Sequence, residues 1–306
     1  MVKSVQVYHY DSFSIEANKG NPAGVVLDTE NLTDWEMQEI ASRVGFNETA
    51  FPVKSDKSDL RIRFFTPGHE MDLCGHATIA TIYALKEKQL LKNKNEITIE
   101  TKAGILAIGM NVSHNDQIYI TMQHATPQFE TFNGSNKDLA HALSIEEEDI
   151  VDNLPVLYGS TGVWTLLVPV TSLAVCKKMK PNNDQFPSVL SEKPNVSIHP
   201  FCFETYYPDA NMHARHFSSP FSGTTEDPVT GTASGIMGAY FVKYIHNNSD
   251  HPLNLIVEQG QEIGKNGKVK VSVTFKNNKW EIKITGTAVS VKTFIVHLTD
   301  AWLKST

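Results

Sequence analysis

The sequence is poor in the residues that build disulfide frameworks and metal sites. Its 306 residues include only three cysteines, Cys74, Cys176 and Cys202, which are far apart in the chain. An odd number of widely spaced cysteines is typical of free thiols in a reducing compartment. The twelve histidines include no HExxH pair, and no CxxC motif occurs. We therefore expect free thiols, and the spacing predicts no metal site.

Long apolar runs and clusters of basic residues are also missing. No stretch is apolar for long enough to be a signal peptide or a membrane span, which predicts a cytoplasmic protein without a membrane partner. The net charge of -7, without a face rich in Lys and Arg, argues against nucleic acid as a partner. The absence of GxGxxG, Walker and GxSxG motifs disfavours a nucleotide-dependent enzyme and a serine hydrolase. The length allows one large domain or two medium-sized ones.

Short strands and a few helices are predicted along the chain. Apolar and polar residues alternate through 60–64 and 269–273, and short turns separate the apolar segments between 97 and 122. This rhythm is typical of antiparallel strands. Thr33 and Glu36 form a capping box, which predicts a helix over 33–44. Ser144 and Glu147 repeat that pattern and predict a second capped helix start.

Two further predicted helices, 75–85 and 231–245, are apolar on nearly every face of their first turns. A helix that is apolar all round has to be buried on all sides. Two such helices in a chain rich in strands indicate two sheets, each wrapped around its own central helix. We therefore predict an α+β fold.

The segments that lead into these two helices resemble each other. RFFTP (63–67) precedes CGHAT (74–78), and RHFSSP (215–220) precedes TGTAS (230–234), with about four extra residues in the second copy. Both copies read Arg-x-Phe-Thr/Ser, then Pro, then x-Gly-polar-Ala-Thr/Ser at the helix start. The ordered set of matches indicates an internal duplication.

The duplication predicts an N-terminal half over 1–125 and a C-terminal half over 126–306. A helix start presents unpaired backbone N–H groups and the positive end of the helix dipole. If both helix starts face a cleft between the halves, they form a pocket for a small carboxylate. Gly75 and Gly231 suit this role because a residue without Cβ lets a ligand approach the backbone. The alternative is that both glycines only ease tight turns.

Three polar residues near the helix starts are candidates for chemistry. Glu48 begins an apolar strand, where burial is expected to raise its pKa and to suit it to general acid/base catalysis. His76 lies at a helix start, where the dipole is expected to keep it neutral. Asp227 precedes Pro228 in a turn toward the second helix. Taken singly, each residue also fits a purely structural role.

Seven motifs in order along the chain resemble the PhzF-like phenazine-biosynthesis family, within the diaminopimelate-epimerase fold superfamily. They are GNPAGVVL (20–27), NETAF (47–51), RFFTPGHEMDLCGHATIAT (63–81), STGVWTLLVP (160–169), RHFSSP (215–220), EDPVTGTASG (226–235) and EQGQEIG (258–264). The resemblance covers nearly the whole chain, and the combination is far more specific than any single motif.

The resemblance implies two pseudo-symmetric halves, each a barrel-like, mainly antiparallel sheet around a central helix, in a homodimer. It implies an isomerase that moves a proton without cofactor or metal, as in the isomerisation of trans-2,3-dihydro-3-hydroxyanthranilate. The family's acid/base glutamate falls on Glu48, its histidine on His76 and its aspartate on Asp227. The backbone positions that hold the substrate carboxylate fall on Gly75, His76, Gly231 and Thr232.

Alternatives remain open at this point. An amino-acid racemase of the same fold needs one thiol before each helix; Cys74 fits the first position, but Thr230 occupies the second and is far too weak an acid/base. A non-catalytic protein that binds a small acid is the other alternative. Two departures from the family pattern are Lys265, where an arginine is usual, and a tail after Ser290 that adds either an edge strand or an oligomer contact.

Overall fold

The computed structural model of the chain describes residues 3–91, 94–246, 252–276 and 279–298. The chain forms two compact units: unit 1 comprises residues 1–122 together with 286–306, and unit 2 comprises 123–285. The helices are α1 (Asp34–Val44), α2 (Gly75–Glu87), α3 (Asn136–Leu143), α4 (Leu173–Lys178), α5 (Phe186–Val189) and α6 (Gly231–Tyr244). Within the described ranges, no helix is both long enough and apolar enough to cross a membrane.

Seventeen strands are present in the described residues. In unit 1 they are β1 (Lys3–Ser12), β2 (Asn21–Val25), β3 (Glu48–Val53), β4 (Leu60–Phe65), β5 (Glu70–Met71), β6 (Glu96–Thr101), β7 (Gly104–Val112), β8 (Ile118–Gln123) and the last strand of the chain, β17 (Ala288–Leu298). In unit 2 they are β9 (Gln128–Thr131), β10 (Leu157–Ser160), β11 (Trp164–Pro169), β12 (Ser197–Cys202), β13 (Met212–Ala214), β14 (Leu253–Gln259), β15 (Gly267–Lys276) and β16 (Lys279–Gly286).

The strands of unit 1 form a mainly antiparallel sheet. Its order is β17, β1, β2, β3, β4, β6, β7, β8, and only the pairs β2–β3 and β4–β6 are parallel. Leu60, Ile62 and Phe64 of β4 are buried, as their alternation with polar residues predicted. The antiparallel rhythm expected for 97–122 is confirmed by β6, β7 and β8.

The strands of unit 2 repeat this pattern of pairing directions. The order is β9 to β16 in sequence, and again the third pair, β11–β12, and the fifth, β13–β14, are parallel while the other described pairs are antiparallel. In unit 1 the fifth strand of the order, β4, is followed along the chain by the short strand β5 and then by the long helix α2. In unit 2 the fifth strand, β13, is followed by the long helix α6. The internal duplication inferred from the sequence motifs is therefore also present in the topology.

The central helix of each unit is buried. Nine residues of α2 and ten of α6 are buried, as the all-round apolar pattern predicted. α2 packs against β1, β2, β3 and β17, and α6 packs against β10, β14 and β15. Buried hydroxyls in these helices are satisfied locally: Thr78 Oγ1 donates to the carbonyl of Cys74 at 2.7 Å, and Ser234 Oγ to that of Thr230 at 2.9 Å.

One of the two predicted capping boxes is confirmed. Thr33 Oγ1 accepts a hydrogen bond from the Glu36 N–H at 3.3 Å, and the Glu36 carboxylate accepts from the Thr33 N–H at 2.7 Å. The prediction at Ser144 is wrong. Ser144 ends α3 in the left-handed region (φ 57), and the box that follows joins Glu146 and Asp149.

The division at 125/126 implied that the last strand belongs to the C-terminal half, but the structure shows that it does not. β17 pairs with β1 along its length, from Lys3 opposite Leu298 to Ser12 opposite Ala288, and so belongs to unit 1. This long antiparallel register of backbone hydrogen bonds places the last described strand beside the first. Of the two roles considered for the tail after Ser290, the structure shows an added strand; residues 299–306 lie outside the described part.

A matching pair of arginines braces the segment before each central helix. The Arg63 guanidinium donates to both oxygens of Glu70 at 2.7 and 2.9 Å, and the Arg215 guanidinium donates to both oxygens of Glu226 at 2.9 and 2.7 Å. Bidentate pairs of this kind fix geometry as well as charge. The two arginines that begin the repeated Arg-x-Phe motif therefore occupy equivalent positions in the two units.

Candidate active site

Glu48 is the first residue of β3 in unit 1. The chain leaves α1 through Gly45, whose φ of 70° places it in the left-handed region that glycine adopts easily, and then enters the strand. Glu48 lies opposite Ala23 of the neighbouring parallel strand β2. Its side chain is 14% exposed. The carboxylate is therefore held at the edge of a buried strand, as the sequence predicted.

The start of α2 lies beside this carboxylate. Cys74 is the N-cap residue, and in the described residues its side chain makes no capping hydrogen bond to the helix. His76 is 9% exposed, and its Nε2 lies 3.0 Å from Glu48 Oε2. Cys74 Sγ lies 3.4 Å from His76 Nδ1. Two of the three predicted catalytic residues, Glu48 and His76, are thus in direct contact, together with a thiol.

The pKa values of Glu48 and His76 differ from those expected when each residue is considered alone. Burial raises the pKa of Glu48, but the charge of His76 and the hydrogen bonds from His76 and Cys74 together outweigh it and leave that pKa below its usual value. Burial lowers the pKa of His76, but the neighbouring Cys74 and Glu48 raise it well above its usual value. The predicted rise for Glu48 and the predicted neutral His76 are therefore wrong. The two side chains form an ion pair, which neither position alone reveals.

The backbone at the helix start borders open space. An added Cβ at Gly75 would meet no atom of the described chain within 4 Å. The N–H groups of the first turn of α2 have no carbonyl partner within their own helix. A small anion can therefore approach the backbone there without displacing a side chain.

The remaining predicted residues lie at the start of α6 in unit 2. The Thr230 hydroxyl donates to the Asp227 carboxylate, and the Asp227 carbonyl accepts from Gln259 Nε2 at 2.8 Å. Gly231 is buried and Thr232 is half-buried. In the described residues Thr230, like Cys74, makes no side-chain capping bond to its helix. Asp227 thus braces the turn that leads into α6.

Equivalent positions of the two units carry different chemistry. Glu48 and Ser197 both begin the fourth strand in the order. The residue after each, Thr49 or Ile198, lies opposite the phenylalanine of the repeated Arg-x-Phe motif, Phe65 or Phe217. Counting from each helix start, Cys74 corresponds to Thr230 and His76 to Thr232. The carboxylate, thiol and imidazole of unit 1 are therefore replaced by three hydroxyls in unit 2.

Cys74 is the member of the cluster that was not among the predicted site residues, because the sequence suggested a role for it only in the less favoured racemase. Its thiol is 6% exposed and contacts the predicted histidine. Burial and the nearby Glu48 charge raise the pKa of Cys74. The signal in the sequence was its position two residues before His76, at the N-cap of the same helix.

Comparison with known proteins decides the family. Residues 10–293 match the PhzC-PhzF family, described as phenazine biosynthesis-like protein. The chain belongs to this family. The uncharacterized isomerase YfhB of Bacillus subtilis is 51% identical over 97% of this chain and 100% of its own. The crystal structure of a PhzF-family protein of Bacillus anthracis is 56% identical, covers 96% of this chain and 99% of its own, and superposes with a TM-score of 0.94.

More distant solved structures share the fold. A hydroxyproline epimerase from Agrobacterium vitis, with bound trans-4-hydroxy-L-proline, has a TM-score of 0.63 at 13% identity and covers 98% of this chain and 94% of its own. At this identity the likeness concerns the fold alone. The expected α+β fold of the diaminopimelate-epimerase type is confirmed, and the family together with relatives named isomerases identifies the chain as an isomerase.

Proposed function

We propose that this isomerase moves a proton on a small carboxylate substrate without a cofactor, with Glu48 as the acid/base group. The observation that carries the proposal is the contact of Glu48 with His76 beside the open backbone at Gly75. The carboxylate that is to accept a proton and the backbone that is to hold an anion thus belong to one site in unit 1.

Glu48 is suited to begin as the base. Its lowered pKa keeps it ionised at neutral pH, and its burial limits competition from water. His76 balances that charge as a neighbouring cation. When Glu48 takes a proton from an activated carbon of the substrate, the ion pair is lost and His76 becomes free to stabilise the negative charge that forms on the substrate.

The substrate carboxylate is proposed to bind the first turn of α2. Unpaired N–H groups and the positive end of the helix dipole favour an anion there. Gly75 and His76 supply the backbone at this position. For Asp227, Gly231 and Thr232 the corresponding role in substrate binding stays a prediction, as does the homodimer that the family resemblance implies.

A two-base racemase is less well supported. Such an enzyme needs an acid and a base that approach the stereocentre from opposite sides. The equivalents of Glu48, Cys74 and His76 in unit 2 are Ser197, Thr230 and Thr232, all of them hydroxyls of very low acidity. One carboxylate that both removes and returns the proton fits this distribution better, and it implies transfer on one face of the substrate.

The test is proton exchange in D2O followed by NMR, with trans-2,3-dihydro-3-hydroxyanthranilate and a panel of cyclic amino and hydroxy acids. We expect deuterium to enter one carbon position with the wild-type protein. Glu48→Gln keeps the shape of the side chain but removes its basicity, and we expect exchange to fall by at least about 100-fold, the lower range for loss of a general base. Ser197→Ala, at the equivalent position of unit 2, is the matched control and should retain exchange.

Two results would contradict the proposal. Exchange that continues at the wild-type rate in Glu48→Gln would remove Glu48 from the acid/base role. Inversion of a stereocentre, with solvent deuterium delivered to the opposite face, would require a second base and would favour the racemase.

A further inference from the structure

Three different metal-ligating groups converge in unit 1. The Glu48 carboxylate, the Cys74 thiol and the His76 imidazole each place one ligand atom within 4.8 Å of the other two. His76 Nε2 lies 3.0 Å from Glu48 Oε2 and 3.9 Å from Cys74 Sγ. The spacing of these residues along the chain does not indicate a metal site, because Glu48 belongs to β3 and the other two residues lie at the start of α2.

We propose that Glu48, Cys74 and His76 form a binding site for a thiophilic divalent cation, Zn²⁺ by chemical class, and that occupancy of this site inhibits the isomerase. The inhibition rests on the proposed role of Glu48 as the acid/base group. The binding itself does not, because it depends only on the three ligand atoms.

The separations agree with a tetrahedral ion. Bonds from zinc of about 2.3 Å to sulfur and about 2.0–2.2 Å to nitrogen or oxygen place neighbouring ligand atoms about 3.3–3.6 Å apart. The separation of 3.9 Å between Sγ and Nε2 and that of 3.0 Å between Nε2 and Oε2 lie on either side of this range. The Glu48 oxygen and Cys74 Sγ lie within 4.8 Å of each other, so side-chain rotations have to bring all three ligand atoms into this range, and the fourth position is left for water or substrate.

One buried oxygen of the cluster, Glu48 Oε2, forms an ion pair with His76 but accepts no well-directed hydrogen bond from the described residues. This oxygen is inaccessible to solvent. A buried carboxylate oxygen without a hydrogen bond is costly, and a cation would satisfy it.

The charges favour a divalent ion. An ionised Glu48 and a Cys74 thiolate supply two negative charges, and a neutral His76 supplies a nitrogen lone pair, so the bound ion is neutralised. The start of α2 stabilises the two anionic ligands, although its dipole opposes the cation itself. A thiolate–imidazole–carboxylate set selects Zn²⁺ or Co²⁺ over Mg²⁺ and Ca²⁺, which prefer oxygen ligands.

Binding must displace protons. The Cys74 thiol loses one proton, and the protonated His76 loses another. The metal then holds the Glu48 carboxylate, which can no longer accept a proton from a substrate. The equivalent residues of unit 2 are Ser197, Thr230 and Thr232, which provide no such set, so we expect one site of this kind in each chain.

Binding can be tested with reduced full-length protein and Co²⁺ as a spectroscopic probe. We expect one Co²⁺ per chain with thiolate-to-cobalt charge-transfer absorption in the near ultraviolet, displaced by Zn²⁺. Cys74→Ser should abolish the band and weaken Zn²⁺ binding by at least about 100-fold, since the loss of a ligand costs more than the loss of an outer-shell partner. Cys202→Ser, which removes another buried thiol, is the matched control and should keep the band.

Glu48→Gln provides a second variant in case Cys74→Ser folds poorly. It should retain the thiolate band but weaken Zn²⁺ binding by at least about 10-fold. A wild-type protein that shows no thiolate band, or a band that persists in Cys74→Ser while Cys202→Ser loses it, would overturn the site.

Inhibition is measured separately in the D2O exchange assay. Zn²⁺ should inhibit wild-type exchange, and at least about 100-fold more Zn²⁺ should be needed for Cys74→Ser, each relative to its own metal-free rate. Binding at the three residues without inhibition would overturn the inhibitory role and would count against Glu48 as the base. Loss of exchange in Glu48→Gln with no metal binding to the wild type would overturn the site and leave the proposed function standing.

Discussion

His213 of unit 2 is a buried cation whose protonation should stabilise the fold. Its side chain is inaccessible to solvent and lies between two carboxylates, with Nδ1 3.2 Å from Glu258 and Nε2 3.1 Å from Glu262. Burial lowers the pKa of His213, but the hydrogen bonds and charges of both glutamates outweigh it and raise this pKa to about 9. Glu258 is itself buried and accepts the N–H groups of Tyr206 and Tyr207 at 2.6 and 3.0 Å, so the cation helps to hold that loop in place.

The size of the effect follows from the two pKa values. A pKa of 6.5 in the unfolded chain and about 9 in the folded protein corresponds to about 3 kcal/mol of additional stability for the protonated state. Because the folded pKa is the higher one, this contribution is fully present below about pH 6.5. It is lost as the pH rises through about 9.

The perturbation is His213→Gln, measured by urea unfolding under reducing conditions from about pH 6 to about pH 9.5. The difference in unfolding free energy between wild type and variant should shrink by about 3 kcal/mol across this range. Taking the difference cancels the titration of groups that do not interact with His213; Cys202 and Glu262, whose pKa values His213 lowers, are among the groups that do not cancel. His141→Gln, at an exposed position of α3, is the control and should show the pH dependence of the wild type.

A wild-type–variant difference that does not change with pH would refute the reasoning, because it would mean that folding does not raise the pKa of His213 above its value in the unfolded chain. An NMR titration of the imidazole, assigned by its absence in His213→Gln, provides the direct check. A midpoint near 6.5 instead of about 9 would lead to the same conclusion.

Two further predictions each compare a pair of positions, and the first pair, Arg63 and Arg215, is supplied by the duplication. Arg215→Lys should cost about 3 kcal/mol of stability and Arg63→Lys about 1 kcal/mol, since Arg215 is the more buried and also donates to two backbone carbonyls at 2.9 and 3.0 Å. Equal shifts in the urea midpoint would contradict this. Gly238→Ala places its Cβ 2.5 Å from Val271 Cγ1 and should destabilise by about 2 kcal/mol, whereas Gly109→Ala, with no atom closer than 3.6 Å, should change the melting temperature little.

Features that depend on local periodicity were predictable from the sequence. The alternation in β4 and the all-round apolar pattern of α2 and α6 report burial directly, because burial acts on each residue in turn. The capping box at Thr33 is likewise contained within four residues. The same four-residue pattern led to a wrong prediction at Ser144, because Ser144 is the left-handed C-cap residue of α3 and therefore does not begin a helix. A local motif cannot show which helix it belongs to.

Features that depend on distant partners were not predictable. The pairing of β17 with β1 joins the two ends of the chain, and no local signal specifies it. The same limit explains the electrostatics of the site. Burial of Glu48 and the dipole at His76 were both reasonable single-residue arguments, but the contact between the two side chains reverses both expected pKa changes. The places of Glu48 and His76 in the fold could be predicted from the sequence. Their protonation states could not, because these depend on the contact between the two side chains.

The two units keep their frame and differ in their chemistry. In each, a bidentate Arg–Glu pair braces the segment before the central helix, and an extended N-cap residue without a side-chain cap begins that helix. Such a start leaves N–H groups without a carbonyl partner in either helix, and we expect this shared frame to bind a carboxylate. The ionisable set Glu48, Cys74 and His76 occurs in unit 1 alone among the equivalent positions. It follows that a proton transfer carried out by this protein should be sensitive to substitutions at these three positions and tolerant of Ser197→Ala, which distinguishes a one-base isomerase from an enzyme that needs both units for its chemistry.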